Sequence, residues 1–193
     1  MIMKNGRVVA VCGTPGTGKS TFSKKLTEEE GFTLVDLNEI IEEESIYEKD
    51  PDGTRAVDQE DLRDVFEDRF GGSNEDLVVD GLLSYLLAPD QVTNVVVLRT
   101  HPAVLKNRLA ERDYSESKVK DNVDSEALSV VLGEAVQIHG ADKVFEIDTT
   151  DIELDETVEK FKKGLRGEIS LSPGSVDWLE DYFQDMKASE NKE

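Results

Sequence analysis

Short apolar runs alternate along the chain with longer stretches in which apolar residues recur every three or four positions. Arg7-Val-Val-Ala-Val-Cys12 is β-branched and ends in a glycine-rich turn, which predicts a buried strand. Lys19 to Glu30 reads as a helix, with Phe22 and Leu26 four apart and Gly31 as its stop. Phe32 to Val35 is a second short strand. Leu37, Ile40 and Ile41 begin a helix that gives way to a loop over Lys49 to Thr54. Asp58 to Phe70 predicts a helix with an acidic cap, carrying Leu62, Val65, Phe66 and Phe70 on one face and closed by Gly71-Gly72. Leu77 to Asp80 and Val95 to Leu98 are further buried strands. Thr100 is placed to cap a helix with Pro102 in its first turn.

The spacing of Val119, Val123, Ala127, Val131 and Ala135 predicts one long helix over 115–138. Val144 to Ile147 is a fifth strand, and Thr157 to Leu165 a closing helix. Five short strands separated by helices predict an α/β fold in three layers, a parallel sheet covered on both faces. The pattern breaks after Gly167, so residues 1–167 form the expected single domain and 168–193 an extension. Within the extension Trp178, Tyr182 and Met186 recur every four residues, as in an amphipathic helix docked on the domain or offered to a partner. Ala188 to Glu193 is expected to be a disordered tail.

Composition narrows the partners. The 193 residues carry 22 Lys plus Arg against 43 Asp plus Glu, a net charge of −21. Grip on nucleic acid by phosphate neutralisation needs the opposite balance, so strong direct nucleic-acid binding and docking on an anionic membrane are disfavoured. The acidity fits the solvated surface of a salt-accumulating organism's protein, or complementarity to a basic partner. The single cysteine, Cys12, excludes an internal disulfide framework and fits a reducing compartment. No apolar run reaches the 18 or so residues of a membrane span, and the apolar run at Val8 is too short for a signal peptide. A cytoplasmic location follows as the expectation.

Gly13-Thr-Pro-Gly-Thr-Gly18-Lys19-Ser20 matches G-x-x-x-x-G-K-[ST], which arises by chance in about one chain in a hundred of this length. It also follows a predicted strand and opens a predicted helix, the context that such a loop needs. Its glycines let backbone N–H groups turn inward around a β-phosphate, and the helix N-terminus adds positive potential. Lys19 supplies a cation at the β/γ oxygens, and the Ser20 hydroxyl can ligate Mg²⁺. Asp80, ending a hydrophobic strand, is the candidate carboxylate for the metal. Arg99 ends the strand before Thr100 and is expected at the ligand edge of the sheet. Arg108 and Arg112 lie four apart on one helix face. All three arginines are candidates, with Lys19, to neutralise charge on a transferring phosphoryl group. Arg112 borders the polar stretch Asp113 to Lys118, a candidate lid.

The loop through Thr21, the strand with Asp80, Leu98-Arg-Thr100, and Arg108-Leu-Ala-Glu-Arg-Asp-Tyr114 followed by Lys118 and Asn122 resemble the adenylate kinases of the isoenzyme-six family, nuclear in eukaryotes and with archaeal counterparts. The resemblance spans residues 7–165. It implies a P-loop kinase fold with a monophosphate-binding insert near 36–59 and a lid near 111–121. It further implies adenylate kinase and ATPase activity on ATP and AMP. A role in small-ribosomal-subunit (rRNA) maturation comes with it, through a basic platform ribosomal protein. Gly16, Gly18, Lys19, Ser20, Thr21 and Arg112 would touch ATP. The chain departs from that family twice. Asp80-Gly-Leu82 carries leucine where Asp-x-His is usual, and Asp36 to Asp50 contains no arginine for a monophosphate, with Lys49 and Arg55 as substitutes. Three readings stay open: an adenylate kinase, an ATPase-type ribosome assembly factor, and a kinase for another small acceptor.

Overall fold

The computed structural model describes residues 6–49, 55–112 and 114–190. Five strands, β1 (Val8–Cys12), β2 (Thr33–Asp36), β5 (Leu77–Asp80), β6 (Asn94–Arg99) and β7 (Val144–Asp148), form one parallel sheet in the order β2-β5-β1-β6-β7. Side chains alternate across it. Val8, Ala10 and Cys12 face one apolar layer with Leu77, Val79, Val95 and Val97. Val9 and Val11 face the other, with Val78, Val96 and Leu98. Helices α2 (Leu37–Glu44), α3 (Gln59–Phe70) and α6 (Val130–His139) cover the first layer. Helices α1 (Lys19–Glu30) and α7 (Leu154–Leu165) cover the second. β1, β5 and β6, buried on both faces, read as nearly continuous apolar runs, and the three-layer expectation holds.

The caps explain where several elements begin. Asp36 accepts from the N–H groups of Asn38 and Glu39 to start α2, and Asp58 accepts from those of Glu60 and Asp61 to start α3. Gly31 ends α1 in the left-handed region at φ 72°.

Four local expectations are corrected. A short antiparallel hairpin, β3 (Tyr47–Lys49) with β4 (Arg55–Val57), flanks the expected loop, whose residues 50–54 lie outside the described residues. The N-cap of α4 (Pro102–Ala110) is His101, whose Nδ1 accepts from Ala103 N–H, because the Thr100 hydroxyl is buried against that of Thr149. The helix expected over 115–138 is two, α5 (Glu116–Ala127) and α6, broken where Ser129 turns left-handed at φ 55°. Arg99 drives the break by donating to the Glu126 carbonyl and to Ser129 Oγ, both at 2.9 Å. The last helix, α8 (Leu179–Glu190), continues past Ala188, where a disordered tail was expected; residues 191–193 lie outside the described residues.

The extension lies against the domain. Glu146 N–H donates to the Leu171 carbonyl at 2.8 Å, and Leu171 packs beside the α1–α7 layer. Trp178 is buried, and the Tyr182 hydroxyl donates to Asp124 on α5.

Phe161 on α7 is fully buried, edge-on to Phe22 at 5.8 Å and to Phe145 at 5.9 Å. Phe161→Ala is expected to cost about 3–5 kcal/mol of unfolding free energy, read from urea denaturation, because those rings cannot collapse into the void. A loss below 1 kcal/mol would show that the layer repacks freely.

Candidate active site

The glycine-rich loop crosses the carboxyl end of β1 and feeds α1. Gly13, Gly16 and Gly18 hold φ of 138°, 96° and 94°, a region that side chains rarely adopt. A Cβ on Gly13 would also sit 2.4 Å from the Leu98 carbonyl oxygen. Inside the loop the Thr14 carbonyl gathers three donors: Thr17 N–H at 3.3 Å, Thr17 Oγ1 at 2.9 Å and Lys19 Nζ at 3.1 Å. No side chain caps α1, so its first N–H groups are left for an anion.

Parallel pairing sets Asp80 beside Val11 of β1 and Asp36 of β2, directly under the loop. Asp80 is 6% exposed and its Oδ1 has no hydrogen-bond partner in the protein. Burial raises its pKa; the Ser20 hydroxyl and the Lys19 ammonium lower it, while Asp36 opposes them. An unpartnered buried carboxylate oxygen beside a hydroxyl is the hard-oxygen donor set that suits Mg²⁺. Among the described residues no group of three His, Cys, Asp or Glu forms a closed cage.

Arg112 is not on one helix face with Arg108 as expected, because α4 ends at Ala110; exposed in the turn beyond, it stands close enough to depress the Lys19 pKa. Arg108 reaches the back of the loop, donating to the Gly16 carbonyl at 3.3 Å and the Thr149 carbonyl at 3.5 Å, both long. Thus Gly16, Gly18, Lys19, Ser20, Asp80, Arg108 and Arg112 converge, with Thr21 exposed on the first turn of α1. Asp113 is outside the described residues; beyond it Lys118 Nζ lies over the Tyr114 ring, 4.4 Å from its centroid.

Arg99 does not join them. Its side chain is 1% exposed, donating from Nε to Glu126 at 2.8 Å and from Nη1 to Glu146 at 2.7 Å, with Trp178 over its face at 5.0 Å. A guanidinium so neutralised cannot swing to a transferring phosphoryl group, so the expected charge-clamping role is corrected to an internal tether. Trp178 is packed between Arg99 and His101, so of the two readings of the extension the structure shows the one docked on the domain.

Residues not singled out in the sequence prove central. Glu126 Oε2 accepts from Thr14 Oγ1 at 2.5 Å, and Thr149 Oγ1 donates to the Thr17 carbonyl at 3.0 Å. A signal for Glu126 existed, since it lies three residues after Val123 and so shares the buried face of α5. Glu146 likewise stands as an acid between the apolar residues Phe145 and Ile147 of β7.

Beside the loop, a cavity of about 140 Å³ is lined by Thr14, Pro15, Leu82, Tyr85, Asn122 and Glu134, among others. No arginine or lysine is among its lining residues. The Tyr85 hydroxyl donates to Glu134, and Leu82 stands where the resemblance implied histidine.

A glycine-rich loop between strand and helix, at the middle of a parallel sheet in this order, defines the P-loop kinase fold. Shikimate kinases of Bacteroides thetaiotaomicron (19% identity, TM-score 0.58, 83% of this chain and 98% of theirs) and Acinetobacter baumannii (15%, 0.59, 86% and 96%) share the fold. A family model described as an AAA domain matches residues 9–129. Proteins named "Putative adenylate kinase" match at 41% identity in Halobacterium salinarum (89% of this chain, 98% of theirs) and 38% in Archaeoglobus fulgidus (89% and 92%). The chain belongs to this archaeal adenylate-kinase family, a group of P-loop nucleotide kinases, and is a phosphotransferase. No helix among the described residues is long and apolar enough to cross a membrane.

Burial pushes the Lys19 ammonium down from 10.5 to about 8; Asp80 pulls it up and Arg112 adds to the fall. In the free enzyme the cation is therefore lost as pH rises through about 8. The kcat/KM for ATP, which reports the free enzyme, is expected to fall along that limb. The kcat limb is expected at higher pH, because a bound triphosphate favours the charged form. A kcat/KM profile flat to pH 10 would contradict the assignment.

Proposed function

We propose that the protein is a Mg²⁺-dependent adenylate kinase that moves the γ-phosphoryl of ATP to AMP, giving two ADP, with ATPase activity on the same site. The observation that carries this is the unpartnered Asp80 oxygen under a glycine-rich loop whose Lys19 and Ser20 face it. The archaeal relatives' name points the same way. Gly16, Gly18 and the start of α1 would hold the β-phosphate through backbone N–H groups, with Ser20 and Thr21 on the first turn. Lys19 and Arg112 would neutralise charge as the γ-phosphoryl transfers, and Arg108 would brace the loop beside Gly16. Ser20 and Asp80 would hold Mg²⁺, which supplies charge neutralisation across the phosphates when bound.

A second reading is favoured by the cavity, whose described lining offers the carboxylate of Glu134 and no cation to an incoming AMP phosphate. On that reading water is the main acceptor and the protein is an ATPase-type ribosome assembly factor. It would act in the cytoplasm on a basic small-subunit ribosomal protein. The net charge of −21 supports such a partner over bare rRNA. A kinase for another small acceptor is the remaining alternative.

A product assay separates these readings. ADP formed only when AMP is present means kinase; ADP plus free phosphate without AMP means ATPase. Lys19→Ala is expected to lower either turnover by about 10²-fold or more, the usual loss for one transition-state charge. Asp80→Asn is expected to cut turnover steeply with a smaller loss of nucleotide affinity; equal losses would make Asp80 structural. For the partner, a pull-down across a salt series is expected to retain a basic ribosomal protein at low salt and lose it as screening grows. Retention of bare rRNA alone would overturn that part.

A further inference from the structure

Three buried charges join the nucleotide loop to the C-terminal extension. Glu126, 2% exposed, accepts from the loop through Thr14 Oγ1 at 2.5 Å, and its other oxygen accepts from Arg99 Nε at 2.8 Å and Thr100 N–H at 3.0 Å. Arg99 continues the chain to Glu146 at 2.7 Å. The second oxygen of Glu146 takes the extension: Ser175 N–H at 2.8 Å, Ser175 Oγ at 3.0 Å and Val176 N–H at 3.3 Å. Trp178 then lies over the Arg99 guanidinium, and Tyr182 is bonded to Asp124, two residues before Glu126.

Stability alone is a poor reason for such a set. Each buried ion costs several kcal/mol of desolvation, and well-packed apolar replacements are often as stable or more so. What charge-assisted bonds supply is fixed direction. Here the direction falls on Thr14, whose carbonyl receives Lys19 and Thr17, so the loop's shape depends on where Glu126 holds that residue.

We propose that Glu126 is a positioning residue of the nucleotide loop and that residues 171–182 set it through Glu146 and Arg99, so that docking of the extension and binding of nucleotide are coupled. The proposal rests on the loop being the nucleotide site. Coupling of this kind is reciprocal: what the extension does for nucleotide affinity, nucleotide does for the seating of the extension.

Trp178 is the chain's single tryptophan, so its fluorescence reports the extension directly. The full-length protein is titrated with the magnesium salt of a non-hydrolysable ATP analogue, following both calorimetric Kd and Trp178 emission. In the wild type the emission is expected to change with a midpoint equal to the Kd. Glu126→Gln is expected to weaken binding roughly threefold to tenfold, the range for residues that act through a coupled network, and to remove most of the emission change. Thr14→Val, which lacks the hydroxyl, should match it, and Thr14→Ser should restore wild-type behaviour. Trp178→Phe keeps an aromatic face and provides a test if Glu126→Gln does not fold. It too should weaken binding, and the double variant Trp178→Phe with Thr14→Val should lose no more than the worse single. Wild-type affinity in these variants, losses that multiply, or an emission that stays constant at saturation would overturn the proposal. Failure of the wild type to bind the analogue at all would instead overturn the nucleotide site.

Discussion

Sealing a guanidinium away from water leaves it no partners except those the protein brings. Arg99, 1% exposed at the end of β6, is met by Glu126 from α5, Glu146 from β7, Ser129 from the α5–α6 junction and Trp178 from the extension. Each of those elements is fixed relative to the others because an uncompensated buried charge would cost several kcal/mol. The helix break at Ser129, the course of residues 171–178 and the shape of the loop at Thr14 all follow from satisfying this one side chain.

The same logic makes the active site a place of deliberate incompleteness. Around Arg99 four of the guanidinium's donor positions are used, whereas under the loop Asp80 Oδ1 has no protein partner and the N-terminal N–H groups of α1 have no side-chain cap. Unmet hydrogen-bonding capacity in a region otherwise closely satisfied is what the proposed phosphate and metal site rests on. Lys19 resting on the Thr14 carbonyl is stored rather than committed: a carbonyl dipole yields to a phosphate that carries full negative charge.

The cavity beside the loop is less strongly defined. Its wall is mixed, with apolar Leu82, Val130 and Val131, the ring of Tyr85 and a single carboxylate, Glu134. The acidic exterior acts at longer range, by repelling polyanions and drawing in basic surfaces at an ionic strength low enough for the field to extend. Pocket and surface charge are separable properties, so activity and partner choice need not change together.

Much of the fold was legible because local signals and burial agree. Runs such as Val8 to Cys12 and Val95 to Leu98 are apolar on both sides, which only a covered parallel sheet accommodates, and Gly13 to Ser20 has a spacing dictated by phosphate geometry. Lys19, Ser20 and Asp80 could be placed together for the same reason: their positions depend on the immediate ends of β1 and β5. Arg99 shows the limit. A strand-end arginine looks the same in sequence whether it faces the ligand or the interior, and the decision came from Glu126, 27 residues on, and Glu146, 47 residues on. The helix break at Ser129, the His101 cap and the burial of Trp178 were likewise hidden, because each is set by a partner distant in the chain. Short-range periodicity determined the elements and the loop; which charged groups stay free for chemistry was decided only when the tertiary structure brought oppositely charged side chains together out of water.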